Sequence, residues 1–195
     1  MMKNRITLLS IVMGIALAAF AFIGCDDDKP NTATIHGTIT FKNLYTWAQS
    51  GTVSSADSGV VEVVIFGDSV WAASPGGTFA QGAPYNANDP VILTINPSDS
   101  TYEYSIEVEP GTYSALAVGY RTNRSYSSAS GKKTATLGVH WDHPDSVSYG
   151  FTFTGVPGYP APVPITVSKG DNVEINFRAD YKFAATWLNV WVTMF

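Results

Sequence analysis

Tyr104-Ser105-Ile106-Glu107-Val108-Glu109-Pro110-Gly111-Thr112-Tyr113 is the stretch on which the reading of this chain turns. Up to Val108 it alternates, with Tyr102, Tyr104, Ile106 and Val108 on one face and Glu103 and Glu107 toward water. That is the period of a half-buried strand. Glu109-Pro110-Gly111 reads as a tight turn, because proline fixes φ at the second position and glycine accepts the positive φ that a type II turn requires at the third. Thr112 to Arg121 then returns as another strand.

The same period recurs on both sides. Thr34-Ile35-His36-Gly37-Thr38-Ile39-Thr40-Phe41 puts Ile35, Ile39 and Phe41 on one face. Val60 to Phe66 is β-branched and almost continuously apolar, the pattern of a strand covered on both faces. Val91 to Ile95 follows and is ended by the turn residues Asn96-Pro97-Ser98-Asp99. Further strands are expected at Thr134 to Trp141, Ser148 to Phe153, Val163 to Val167 and Val173 to Phe177. Ser168-Lys169-Gly170-Asp171 joins the last two. Thr186 to Phe195 is apolar and suits an edge strand or a cover for the core. Short strands with Gly/Pro turns and no helical periodicity argue for an all-β sandwich.

These residues also carry a resemblance. The opening Thr34-Ile35-His36-Gly37-Thr38-Ile39, the apolar Val60 to Phe66, and Tyr104 to Tyr113 followed by Ala117-Val118-Gly119-Tyr120 resemble the carboxypeptidase regulatory-like, prealbumin-like (transthyretin-like) module. Ile165 to Gly170 with Val173 to Phe177 is similar to its closing hairpin. The resemblance implies a Greek-key β-sandwich of about seven strands, an accessory or binding module rather than an enzyme. Two connections, Trp71 to Asp89 and Tyr120 to Tyr159, exceed the family's usual length and are the expected contact surface. The related hydroxyisourate hydrolases end in Tyr-Arg-Gly-Ser. This chain ends Val192-Thr193-Met194-Phe195, so that activity has no carrier residues.

Upstream, Lys3 and Arg5 precede an apolar run from Ile6 to Phe22, and Phe22-Ile23-Gly24-Cys25 leads directly into Asp26-Asp27-Asp28. This resembles a bacterial lipoprotein signal peptide with its lipobox, although Phe22 stands where the family prefers leucine. The resemblance implies a signal-peptide helix over residues 1–24, a lipidated Cys25 opening an acidic tether over 25–32, and a sandwich over 33–195. Two other readings stay open. The apolar run approaches the roughly 20 residues that span a bilayer, and an ordinary signal peptidase would leave Cys25 as a free thiol. All three place Asp26 onward outside the cytoplasm. Under the lipid reading, acyl chains contributing about 0.8 kcal/mol per methylene hold the protein at the cell envelope, facing periplasm or exterior.

Without the leader, nine basic residues face sixteen acidic ones, a formal charge of −7. Nucleic acid and anionic membrane surfaces are poor partners for such a surface. With one cysteine there is no internal disulfide, so burial must supply the stability. The partners expected are the membrane, through the lipid, and an envelope protein or glycan. No cofactor is expected.

Two groups of residues suggest chemistry. Exposed aromatic rings in the long connections, among them Trp71, Tyr85, Tyr126, Trp141 and Tyr159, are candidates to stack on sugars or apolar partners, and the alternative is that they close the ends of the core. His140-Trp141-Asp142-His143-Pro144-Asp145 is the densest set of donors. His140, Asp142 and His143 are its candidate metal ligands, as in a metal-assisted envelope hydrolase. The alternative there is a strand ending in a turn whose aspartates cap backbone amides. Asp68, Asp89, Asp99 and Asp171 are candidate calcium positions of the kind sandwich loops offer, or simply solvated turn residues. No G-x-S-x-G elbow and no glycine-rich phosphate loop is present.

Overall fold

Residues 30–43, 60–74, 77–80, 82–96, 98–121, 134–150 and 161–181 are described by a computed structural model. The leader over 1–24, Cys25, Tyr126, Tyr159 and the apolar stretch 186–195 lie outside them. The described residues are all-β and form eleven strands: β1 (Ala33–Lys42), β2 (Val60–Gly67), β3 (Trp71–Ser74), β4 (Gly77–Ala80), β5 (Val91–Leu93), β6 (Thr101–Val108), β7 (Gly111–Arg121), β8 (Thr134–Val139), β9 (Ile165–Val167), β10 (Asn172–Glu174) and β11 (Phe177–Asp180).

Two sheets carry the fold. In the first, β1 lies between antiparallel β6 on one side and β10 and β11, both parallel to it, on the other. In the second the order is β5-β2-β7-β8, with β9 also on β7. β3 and β4 form a separate hairpin. The inner faces meet in one core: Ile35, Ile39, Tyr104, Ile106 and Phe177 from the first sheet pack with Val61, Val63, Ile65, Leu116, Val118 and Tyr120 from the second. The alternation read from Thr34 to Phe41 and from Tyr102 to Val108 therefore marks the core face.

β2 is buried on both faces, as its continuous apolar pattern requires. Val61, Val63 and Ile65 enter the main core, whereas Val64 and Phe66 join Trp71, Ala115, Ala117 and Val139 in a smaller cluster on the other face of the second sheet. That face also holds an ion pair. Both Glu62 oxygens receive Arg121, Oε2 from Nε at 3.0 Å and Oε1 from Nη2, and both side chains are 3% exposed.

Three expectations change. The strands outnumber the seven expected, partly because the connection from Trp71 to Asp89 contains the β3–β4 hairpin. The strand expected over Val173 to Phe177 is split into β10 and β11 at Ile175-Asn176, where Ile175 N–H donates to His36 O at 2.8 Å and Asn176 Oδ1 accepts from Thr38 N–H at 2.7 Å. Finally, Pro110-Gly111 does not form a type II turn, since Gly111 lacks a positive φ. The segment instead carries the chain from β6 in the first sheet to β7 in the second. Tyr113 fixes this corner by donating its hydroxyl to Glu109 O at 2.8 Å.

Candidate functional site

The Asn/Asp/Pro-rich run Tyr85-Asn86-Ala87-Asn88-Asp89-Pro90 folds into successive turns, with Ala87 N–H on Pro84 O and Asp89 N–H on Asn86 O. It is stitched to β2 just beyond the end of the β5 pairing. Tyr85 N–H donates to Ile65 O at 2.7 Å. The Asn86 amide then acts as a substitute peptide: Oδ1 accepts from Ile65 N–H at 3.0 Å and Nδ2 donates to Val63 O at 3.2 Å. This places the run over the side of the molecule where β5, an edge of the second sheet, approaches β6, an edge of the first.

A cleft of about 420 Å³ opens there. It is lined by Tyr85, Asn88, Asp89 and Val91 from the turn run and β5, and by Ser105 and Glu107 on the outward face of β6. Tyr85 is 46% exposed, and Ile92 is the only other large apolar side chain so exposed among the described residues. The Tyr85 ring is nevertheless held, meeting Tyr113 at 5.3 Å in an edge-to-face contact. The Tyr113 hydroxyl is shifted well above the ordinary tyrosine range by burial, then by its neighbours Tyr85 and Glu109.

Replacing Asn86 by alanine would leave Ile65 N–H and Val63 C=O without these partners. A loss of about 2 kcal/mol in stability is expected, measured by urea denaturation of the full chain. A change below about 0.5 kcal/mol would mean that water replaces the amide and that the run is not pinned to β2.

The other aromatic candidates take different places. Trp71 is not a loop ring: it opens β3, is 6% exposed, packs edge-to-face on Phe66 at 5.1 Å and donates Nε1–H to Gly150 O at 3.0 Å. A large apolar ring placed against β2 gains more from burial than from display. Trp141 is half-buried, with Nε1–H on Ser146 O at 3.0 Å and its ring 4.8 Å from that of His143.

Around His140 the donors do not converge, and no group of three His, Cys, Asp or Glu side chains among the described residues is placed to hold a metal ion. Asp142 and His143 pair with each other at 2.9 Å and are 66% and 69% exposed. His140 lies past the end of β8, tied by its N–H to Leu116 O and by its carbonyl to Val163 N–H, with Nδ1 buried and lacking a hydrogen-bond partner. Of the aspartates at the other turns, Asp99 accepts from Asn96 Nδ2 at 3.1 Å and Asp171 from Ser168 N–H at 2.7 Å.

Burial holds the His140 imidazole below the ordinary histidine range. Below about pH 6.5 the unfolded chain binds a proton that the folded chain resists. The stability tied to neutral His140 is thus complete above that pH and declines as pH falls through it. Urea midpoints are expected to fall between about pH 7.5 and 5, and to fall less steeply in His140→Gln. Identical slopes would remove buried His140 as a source.

The sequence marked Tyr85 but missed its partners. Asn88 and Asp89 are signalled by the turn-rich run before Val91. Ser105 and Glu107 read only as the wet face of a strand, and nothing local brings that strand to Tyr85. No family model matches the chain, and no curated protein or solved structure matches it.

Proposed function

We propose that this chain is a cell-envelope lipoprotein: Cys25 carries the lipid, Asp26-Asp27-Asp28 space the protein from the membrane, and a prealbumin-like Greek-key sandwich binds an envelope protein or glycan without catalysing a reaction. The observation that carries the binding role is the cleft between β5 and β6, where Tyr85 stands exposed yet is fixed by Tyr113 and β2. An exposed ring held in one orientation loses little freedom on binding, which is what a recognition surface needs. The Greek-key reading is supported by the return of β10 and β11 beside β1, with β6 on its other edge. The envelope location rests on the charged start, the apolar run and Gly24-Cys25.

Mass spectrometry of membrane-extracted protein tests the anchor. An acylated peptide beginning at Cys25 is expected, and Cys25→Ser should move the protein out of the membrane fraction. Recovery of the chain from cytosol with residues 1–24 intact and Cys25 unmodified would sink the proposal.

A further inference from the structure

We infer that the cleft between β5 and β6 takes a neutral oligosaccharide, with Tyr85 as the surface on which a sugar ring stacks. The inference rests on the binding-module reading above and names the ligand class of that same site. Volume comes first: about 420 Å³ falls within the roughly 300–1,000 Å³ of small-molecule sites. The chemistry of the walls narrows the class.

No lysine or arginine lines the cleft, while Asp89 and Glu107 do. Phosphates, sulfates and uronates would be repelled by both carboxylates with no cation in the lining to offset them. A purely apolar ligand would strip water from two carboxylates and the Asn88 amide with nothing in return. Sugar hydroxyls answer both constraints because each donates and accepts. Carboxylates take their protons, and the Asn88 amide and Ser105 hydroxyl can serve either role. An organic cation would find the carboxylates and the ring, but would leave those donors unused. The Tyr85 ring, with half-buried Val91 beside it in the lining, suits the C–H face of a pyranose.

Asn86 lines the same cleft, but its amide is spent on Val63 and Ile65. Glu107 likewise has one oxygen engaged by the Thr32 hydroxyl, which fixes its direction and leaves the second for a ligand. The frame is therefore set before any ligand arrives, and the open mouth admits a chain longer than the cleft.

The test uses the full-length chain in a polyoxyethylene detergent, which brings no sugar headgroup. Cellohexaose, laminarihexaose, mannohexaose and chitotetraose are titrated by calorimetry, with a hexagalacturonate as acidic counterpart and tetramethylammonium as cationic one. At least one neutral oligomer is expected to saturate, with the hexagalacturonate at least about tenfold weaker. Tyr85→Ala should weaken binding by about tenfold or more, Tyr85→Phe by less than about threefold, and the exposed-site variant Asn88→Ala by about threefold to tenfold. Near-UV circular dichroism checks that each variant is folded.

Failure of all four neutral oligomers overturns the inference, as does saturation that Tyr85→Ala and Asn88→Ala both leave unchanged. Tetramethylammonium binding in place of sugar reassigns the cleft and also overturns it. A photo-crosslinker at position 88 separates this failure from failure of the broader reading. A captured envelope protein without sugar binding would keep the binding module and discard the saccharide. Neither sugar, cation nor crosslink would discard both.

Discussion

Gly37→Ala is expected to destabilise the protein by about 4 kcal/mol, from backbone strain and overpacking together, and to lower Tm by roughly 10 °C. At φ +154°, Gly37 adopts backbone that L side chains rarely adopt, and a Cβ built there would lie 2.0 Å from Ile175 O and 2.7 Å from Ile175 C. Neither neighbour can give way easily. Ile175 O accepts the Tyr104 hydroxyl at 2.6 Å, and Ile175 N–H is bonded to His36 O. Tyr104 is itself opposite Gly37 in the β1–β6 register, with its hydroxyl shifted far above the ordinary range by burial and then by Glu174. The missing side chain is what lets β10 and β11 close on β1 at the point where they break.

Gly111→Ala is the control. A Cβ there meets nothing within 4 Å and φ is not positive, so a change within about 0.5 kcal/mol is expected. Urea denaturation with unchanged m-values would report both effects as stability rather than a change of unfolded state. A Gly37→Ala variant within about 1 kcal/mol of wild type would show that Ile175-Asn176 can shift away from β1 at little cost.

The contrast between these two glycines shows which information the sequence holds. Both sit in strand patterns, and Pro110-Gly111 carries the stronger local signal. Proline and glycine together state a turn, yet they do not state whether the chain folds back within one sheet or crosses to the other. That choice depends on Tyr113 reaching Glu109 O and on which neighbours β6 and β7 find. Gly37 carries no turn signal, and its importance comes from Ile175, which lies far along the chain. The alternation of Ile35, Ile39 and Phe41, or of Tyr104, Ile106 and Val108, was legible because facing one way is a local property.

The candidate site divides along the same line. Tyr85 could be picked out as an aromatic beside turn residues, and Trp71 could be picked out on equal grounds. One became exposed and the other buried because Trp71 falls where Phe66 and Gly150 can cover it. Single residues announce their chemistry but not their cover. Glu107 joined the cleft only because two sheet edges meet, and His140 is tied by its backbone to Leu116 and Val163 while His143 pairs with Asp142 in the exposed turn.

The second large effect concerns Glu62 and Arg121. Glu62→Leu alone, or Arg121→Met alone, is expected to cost about 3–5 kcal/mol, because each removes one half of a desolvated ion pair. The double replacement should recover most of that loss and finish within about 2 kcal/mol of wild type, on either side. The geometry explains the expected coupling. Glu62 faces Gly119 across β2 and β7, while Arg121 is two residues further along β7, a diagonal that a long guanidinium side chain can bridge. Gly119 presents no side chain between them. Two bonds to one carboxylate then hold the planar group in a single orientation. On that face of the second sheet, Val64 and Phe66 of β2 and Ala115 and Ala117 of β7 continue the same strands into the smaller apolar cluster. A pair of charges beside it fixes the register of β2 on β7 more sharply than apolar contacts alone, since a slip of β2 by one residue would turn Glu62 into the main core and away from Arg121. A double-mutant cycle by urea denaturation isolates the coupling. Because the pair is buried, its coupling should change little when salt is raised from about 0.1 M to 1 M. Additive single effects, or a coupling that salt abolishes, would show instead that the two side chains reach water and that the register is set by packing alone.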